Sequence, residues 1–544
     1  MIGYQQPTAT RAIFTKAHPH FGAATFLVIA LLCAGLSAQR GGSAPGPGVG
    51  SQQACEALMD SSGGAHAAVG CKWVQTWGSP SVNATTTATL PYFPSLAAQT
   101  FGTSPGNIIV PGVAVSPAIA PPGGTTNTAA RFVNTTIRHM VRVSVGGSKI
   151  RLRLTNAATP EDLAVDDLHV ALWDKALCPT PLPPVAPGTV SRGPACSNIV
   201  PGTDTPVTLG GSRSFVIPAR SDVYTDPVDF PVEPLGEVAI SLYFRNLTPP
   251  VTTHPFGART AYRVVGLPGS DGNFAGATVF DAATLQGTAA LAVASNRVVI
   301  TGIDVLAPRT TRGLVAVGDS ITDGDHTTPE TDTRWTDYLA ARFIDEHQGN
   351  GKLPPVVSNA GIGANRVVTD AFPGAGPNLV SRFDRDVLSR SGVTDIIVLE
   401  GINDIGQGFP AGFIETPENI IAAYRTLIAR AHAAGAKIYF ATMTPIRTDE
   451  ATAAGTYTGL FSQSQTLFEL REPRRQAVNE WILTTNEHDG AIDFNAALSA
   501  PGLLNQLYAP YSLYPINGTN DQLHPNYIGY RVMADTVDLD WFIK

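Results

Sequence analysis

The stretch Gly313–Gly324, GLVAVGDSITDG, decides how the second half of this 544-residue chain is read. Six residues that are apolar or glycine run into Asp319-Ser320 and then a polar segment. A short continuous apolar run bounded by a turn suits a buried parallel strand, with a serine just past its carboxyl end. A serine at that position, opening a helix, has an exposed hydroxyl and backbone N–H groups near any oxyanion that develops.

Outward from this stretch the pattern repeats. PVVSNAGI, DIIVLEGIND, AKIYFATMTP and GAIDFN are further short apolar runs. Helical segments are expected at Arg334–His347, Pro417–Ala434 and Pro473–Thr485, with Pro417 and Pro473 in first turns, where proline is tolerated. Alternation of this kind predicts an α/β domain over 309–544, with about five parallel strands and helices on both faces. Ligands bind such sheets at the carboxyl ends of the strands.

Before Pro308 the period changes to two. In GSKIRLRLTN, Ile150, Leu152 and Leu154 face one way and Arg151, Arg153 and Thr155 the other; in EVAISLYFRN, Val238, Ile240, Leu242 and Phe244 alternate with smaller or polar residues. Such strands, broken by Gly, Pro, Asn and Asp, predict an antiparallel β-sandwich over 71–308. Residues 39–70, rich in Gly, Ser and Ala, read as a flexible arm. At the N-terminus Arg11 and Lys16 precede a 16-residue apolar run, Phe21–Leu36, and small residues through Ala38. That order predicts a cleaved secretory signal over 1–38. The run is shorter than the roughly 20 residues a spanning helix needs, so no stable membrane anchor is expected.

Removing the signal leaves Cys55, Cys71, Cys178 and Cys196. An even number in an exported chain predicts two disulfides; proximity in sequence favours Cys55–Cys71 and Cys178–Cys196 among three connectivities. No CxxC or HExxH accompanies them, which argues against zinc. A net charge of -8 without any basic run gives no reason to expect nucleic acid.

Three strand-end loops carry polar residues suited to chemistry: Asp319-Ser320 after the first, Gly401-Ile402-Asn403-Asp404 after the third, and Asp521-Gln522-Leu523-His524 beyond the fifth. His524 can act as base toward Ser320, and Asp521 can fix its tautomer. Competing patterns fail on context. Asp166…His169 lies in a strand-like run, Asp323…His326 in a polar loop, and the G-x-S-x-G around Ser104 contains Pro105 with no helix after it.

Together GDSITDG, the GIND loop and the late DQLH resemble the block signatures of the SGNH/GDSL esterases and lipases, over residues from about 312 to 544. The resemblance implies a flavodoxin-like three-layer fold. It implies Ser320 as nucleophile, His524 as base and Asp521 as third member of the triad. The implied oxyanion hole is the Ser320 N–H, the Asn403 side chain and a backbone N–H in the second block. That last position, five residues beyond Asn359, is a glycine in the family and Ala364 here. Asn365 and Arg366 are expected to line the pocket, and no metal or organic cofactor is required. The N-terminal β region, entered by WVQTWGSP, resembles secreted xylan-esterase-like carbohydrate esterases, which implies an O-acetylated carbohydrate as substrate. A lipolytic or aryl esterase, or an inactive glycan-binding protein, are the alternatives. The sequence does not indicate the oligomeric state. A neutral base is needed, so activity is expected to rise as pH passes the ordinary histidine pKa of about 6.5.

Overall fold

In a computed structural model of the chain the five expected parallel strands are Gly313–Gly318, Val356–Gly361, Val393–Leu399, Lys437–Ala441 and Gly490–Ile492. The structure describes residues 70–82, 131–176 and 194–543, apart from 256, 267–268, 281–287, 295, 326, 328–329, 348–353, 372–374, 407–413, 447–464 and 513–522. Counted in chain order, the strands lie 2-1-3-4-5 across the sheet, and every neighbouring pair is parallel. The chain leaves strand 1 toward one edge and returns on its other side for strand 3. The crevice at a switch of this kind opens above the carboxyl end of strand 1. Ser320 lies there.

Buried aliphatics explain why these runs pair centrally. Val315, Val317, Ile396, Ile397, Val398, Ile438 and Phe440 are covered on both faces of the sheet. The helix Trp335–His347 buries Trp335, Leu339 and Phe343, spaced four apart on one face. Trp335 meets Phe494 edge to face at 5.6 Å. The helix Pro417–Ala433 starts as its sequence predicts: Pro417 is in the first turn, and the Thr416 hydroxyl accepts from Asn419 N–H. The helix expected from Pro473 differs. It runs from Gln465 to Thr484 with Pro473 inside it. An interior proline gives up one hydrogen bond and crowds the carbonyl four residues back, a cost offset here by a long helix packed through Val478 and Ile482.

The β half forms two antiparallel sheets. One orders Cys71–Gly78, Ile300–Pro308, Gly147–Thr155 and Asp222–Tyr224, with Val228–Val232 also pairing to Gly147–Thr155. The other orders Thr288–Ala294, Ala261–Gly266, Thr135–Arg142, Glu237–Phe244, Asp167–Leu172 and Thr205–Pro206. Ile150, Leu152 and Leu154 from the first meet Val238, Ile240, Leu242 and Phe244 from the second in one core. The opposite faces are covered as well, which period-two alternation alone did not indicate. Arg153, read as outward-facing, is buried; it donates to Asp222 Oδ2 at 2.8 Å and to Ser389 Oγ at 3.0 Å. Arg151 reaches Asp304 Oδ2 at 2.9 Å and Ser391 Oγ at 3.1 Å. These arginines face the α/β half. Val74 and Ala307 pack with Val356 beside them. The two halves lie within one compact unit, Pro45–Lys544. No helix among the described residues is long and apolar enough to cross a membrane.

Candidate active site

Strand 1 ends at Gly318, where a side chain has no room: a Cβ would lie 2.2 Å from the Leu399 carbonyl oxygen. The next residue, Asp319, caps the short helix Ser320–Asp323 by accepting from Ile321 N–H at 2.9 Å. Ser320, at the first helical position, keeps an N–H with no intrahelical partner. Its hydroxyl lies 2.8 Å from His524 Nε2. Both residues are buried. A neutral imidazole protonated on Nδ1 accepts this proton at Nε2.

His524 is held by its neighbours. Asn526 caps the helix Tyr527–Thr536, accepting from Ile528 and Gly529 N–H at 2.9 and 3.1 Å. Its amide donates to the Pro510 and Ser512 carbonyls at 2.9 and 2.7 Å, and Pro525 bridges to Ser512. Asn526 escaped sequence reasoning, although an asparagine directly before a helix is a capping signal. Asp521 and His326 lie outside the described residues, as do Cys55, Cys178 and Ser104.

The second and third loops meet beside Ser320. Asn403 is the second residue of the short helix Ile402–Gly406 after strand 3, and its amide donates to the Asn365 carbonyl at 3.0 Å. Asp404 accepts from Val367 and Val368 N–H at 2.9 and 3.0 Å, clamping the second loop to the third. Asn365, expected to line the pocket, has a buried side chain turned into its own loop. Its side chain donates to the Ala375 and Pro377 carbonyls at 2.6 and 2.8 Å and accepts from Arg382 Nε at 2.8 Å. A side chain satisfied in this way shapes the loop from inside. Arg366 is likewise buried, with Asp404 and Glu415 as its charged neighbours. Arg382, a buried cation in an otherwise ordinary helical run, also donates to Gly318 O at 3.1 Å and Ala360 O at 2.8 Å. It therefore fixes the ends of strands 1 and 2, a role with no local sequence pattern.

Ala364 is buried and has φ +60, in the left-handed region. An L-residue there costs about 1–2 kcal/mol, and glycine avoids most of that cost. The backbone thus keeps the shape that the family's glycine favours, at some strain. Ala364→Gly is expected to raise stability by about 1 kcal/mol, read from the urea midpoint; a lower midpoint would contradict this account of the loop.

Three buried carboxyls surround the site. Burial pushes Asp319 up to about 7, partly offset by its cap to Ile321 N–H and by His524. Burial also pushes Asp404 up to about 7. Glu400 is driven well above the usual range by burial and by the nearby Asp319. A raised carboxyl pKa means the folded state holds a proton that the unfolded chain has released. Stability contributed by Asp319 is therefore full below about pH 4 and lost as pH rises to about 7. Asn caps a helix as well as Asp does, but carries no charge. Asp319→Asn is expected to exceed wild type in unfolding free energy by on the order of 2–4 kcal/mol at pH 8 and to converge with it near pH 4. Parallel urea curves at the two pH values check this, and a constant offset would refute it.

Residues 316–532 match the family model described as GDSL-like Lipase/Acylhydrolase family. No curated protein matches the chain. Among solved structures it is similar to the native aryl esterase of M. smegmatis, at 15% identity over 41% of this chain and 95% of that one, with a TM-score of 0.30. A carbohydrate acetylesterase from Sinorhizobium meliloti gives 17% identity over 42% and 98%, TM-score 0.27. A catalytic mutant of an acetylxylan esterase from Geobacillus stearothermophilus gives 19% over 41% and 91%, TM-score 0.29. The chain carries, over residues 316–532, a GDSL-like lipase/acylhydrolase domain, and by that domain it is a carboxylic ester hydrolase.

Proposed function

We propose that Ser320 and His524 carry out a two-step acyl transfer on the ester of an O-acetylated carbohydrate. The observation behind this reading is the 2.8 Å contact between the Ser320 hydroxyl and His524 Nε2 at the strand-order switch. His524 takes the hydroxyl proton as Ser320 Oγ attacks the ester carbonyl. Asp521 holds His524 in the required tautomer and stabilises the imidazolium. The tetrahedral oxyanion is received by the Ser320 and Ala364 N–H groups and by the side-chain amide of Asn403. The C–O bond to the alcohol breaks and the alcohol leaves with the proton from His524. Water then repeats the sequence on the acyl-enzyme, releasing the acid and free Ser320.

The chain is read as exported, with 1–38 removed, 71–308 an accessory β domain and 309–544 catalytic. Cys55–Cys71 and Cys178–Cys196 are the proposed disulfides; Cys71 and Cys196 are both buried. An O-acetylated carbohydrate presents a two-carbon acyl group. kcat/KM for p-nitrophenyl acetate is therefore expected to exceed that for the octanoate by roughly tenfold or more, with acetate released from acetylated xylan. Faster turnover of the octanoate, without acetate from xylan, would favour a lipolytic or aryl esterase instead.

A further inference from the structure

His254 belongs to the β half, in the two-residue strand Thr253–His254 that pairs with Arg297–Val298. It is buried, and both ring nitrogens face acceptors. Nδ1 lies 2.9 Å from the Pro80 carbonyl oxygen and Nε2 lies 3.0 Å from Asp323 Oδ1. A ring between two acceptors is fully satisfied only when both nitrogens carry hydrogen. Asp323 is the last residue of the helix that Ser320 begins. Its other oxygen, Oδ2, accepts from Gly363 N–H at 3.1 Å. Gly363 immediately precedes Ala364. One carboxylate thus joins the β half, the nucleophile's helix and the second-block loop.

We propose that His254 is a positioning residue for ester hydrolysis, acting through Asp323 and Gly363 to set the Ala364 N–H toward the oxyanion. This rests on the reading of Ala364 as an oxyanion donor. Ala364 holds a strained left-handed conformation, and such conformations persist only where surrounding contacts over-determine them. The Gly363 N–H bond to Asp323 is one such contact directly beside it, and His254 orients that carboxylate. The β half is then required for an assembled catalytic centre, rather than serving only as a carrier.

The test uses the full chain with p-nitrophenyl acetate. A displacement near 1 Å at a reacting centre can cost about 10²-fold. His254→Ala and Asp323→Ala are each expected to lower kcat by roughly 10- to 100-fold with KM little changed. The double variant should lose no more than either alone, since both act through one contact. Asp323→Asn should recover most of kcat: its amide oxygen can accept from Gly363 N–H while its N–H donates to a neutral His254. Arg151→Ala removes a link between the same halves, to Ser391, without touching this loop, and should leave kcat unchanged. Wild-type kcat in folded His254→Ala, or equal losses in His254→Ala and Arg151→Ala, would overturn the proposal. If His254→Ala does not fold, the two Asp323 variants decide: a tenfold or larger gap between them supports the relay, and equal kcat overturns it. Absence of Ser320-dependent turnover in the wild type would instead remove the esterase reading on which the relay rests.

Discussion

Replacing Ser320 with alanine is expected to lower kcat/KM for p-nitrophenyl acetate by on the order of 10⁴- to 10⁶-fold while leaving the fold intact. The hydroxyl is the atom that bonds to the acyl carbon, and no other group of the site substitutes for it. His524 would remain but would have no nucleophile to deprotonate at 2.8 Å. Because Ser320 opens a helix whose cap comes from Asp319, its loss removes no structural hydrogen bond of that cap. Far-UV circular dichroism and the urea midpoint should therefore match wild type. A variant keeping more than about one per cent of wild-type kcat/KM would mean that another residue attacks the ester.

The second large effect is expected at Asn403. Its side-chain amide is oriented by the bond it donates to the Asn365 carbonyl at 3.0 Å. A donor already oriented toward developing charge needs no reorganisation during reaction, and losing one such donor costs about 10²- to 10³-fold in kcat. Asn403→Ala should show that loss with KM nearly constant, because the donor matters most when the oxygen is negative. Asn403→Asp keeps the shape but places a carboxylate against the oxyanion, and should be at least as damaging. Loss confined to KM would assign Asn403 to substrate binding instead.

Much of this architecture is legible in the chain because it follows from local periodicity. GLVAVG, PVVSNAG and DIIVLEG read as buried strands, and their residues are the core of the sheet. Ser320 and His524, 204 residues apart in sequence, were paired through motif context, and the structure brings them into contact. What escaped the sequence lies in long-range hydrogen bonds between side chain and backbone. Arg382 ties two strand ends together, yet its neighbours Ser381 and Phe383 give no sign of it. Asn365 follows the second block, and nothing in that position announces that its amide donates to carbonyls ten and twelve residues on. Arg153 alternates with core leucines as a surface residue would, and the surface it faces is the other half of the protein. The sequence sets His326 three residues after Asp323, but the histidine that meets Asp323 is His254, 69 residues upstream in a strand of the β half. Such partnerships depend on tertiary placement and leave no spacing to read.

The most direct test is covalent labelling of the full chain with a fluorophosphonate, followed by tryptic peptide mapping. Ser320 is the sole serine of the peptide Gly313–Arg334. The account predicts one adduct on that peptide, absent from Ser320→Ala and strongly reduced in His524→Ala. An active enzyme that forms no adduct, or forms it on another peptide such as the one bearing Ser104, would contradict it.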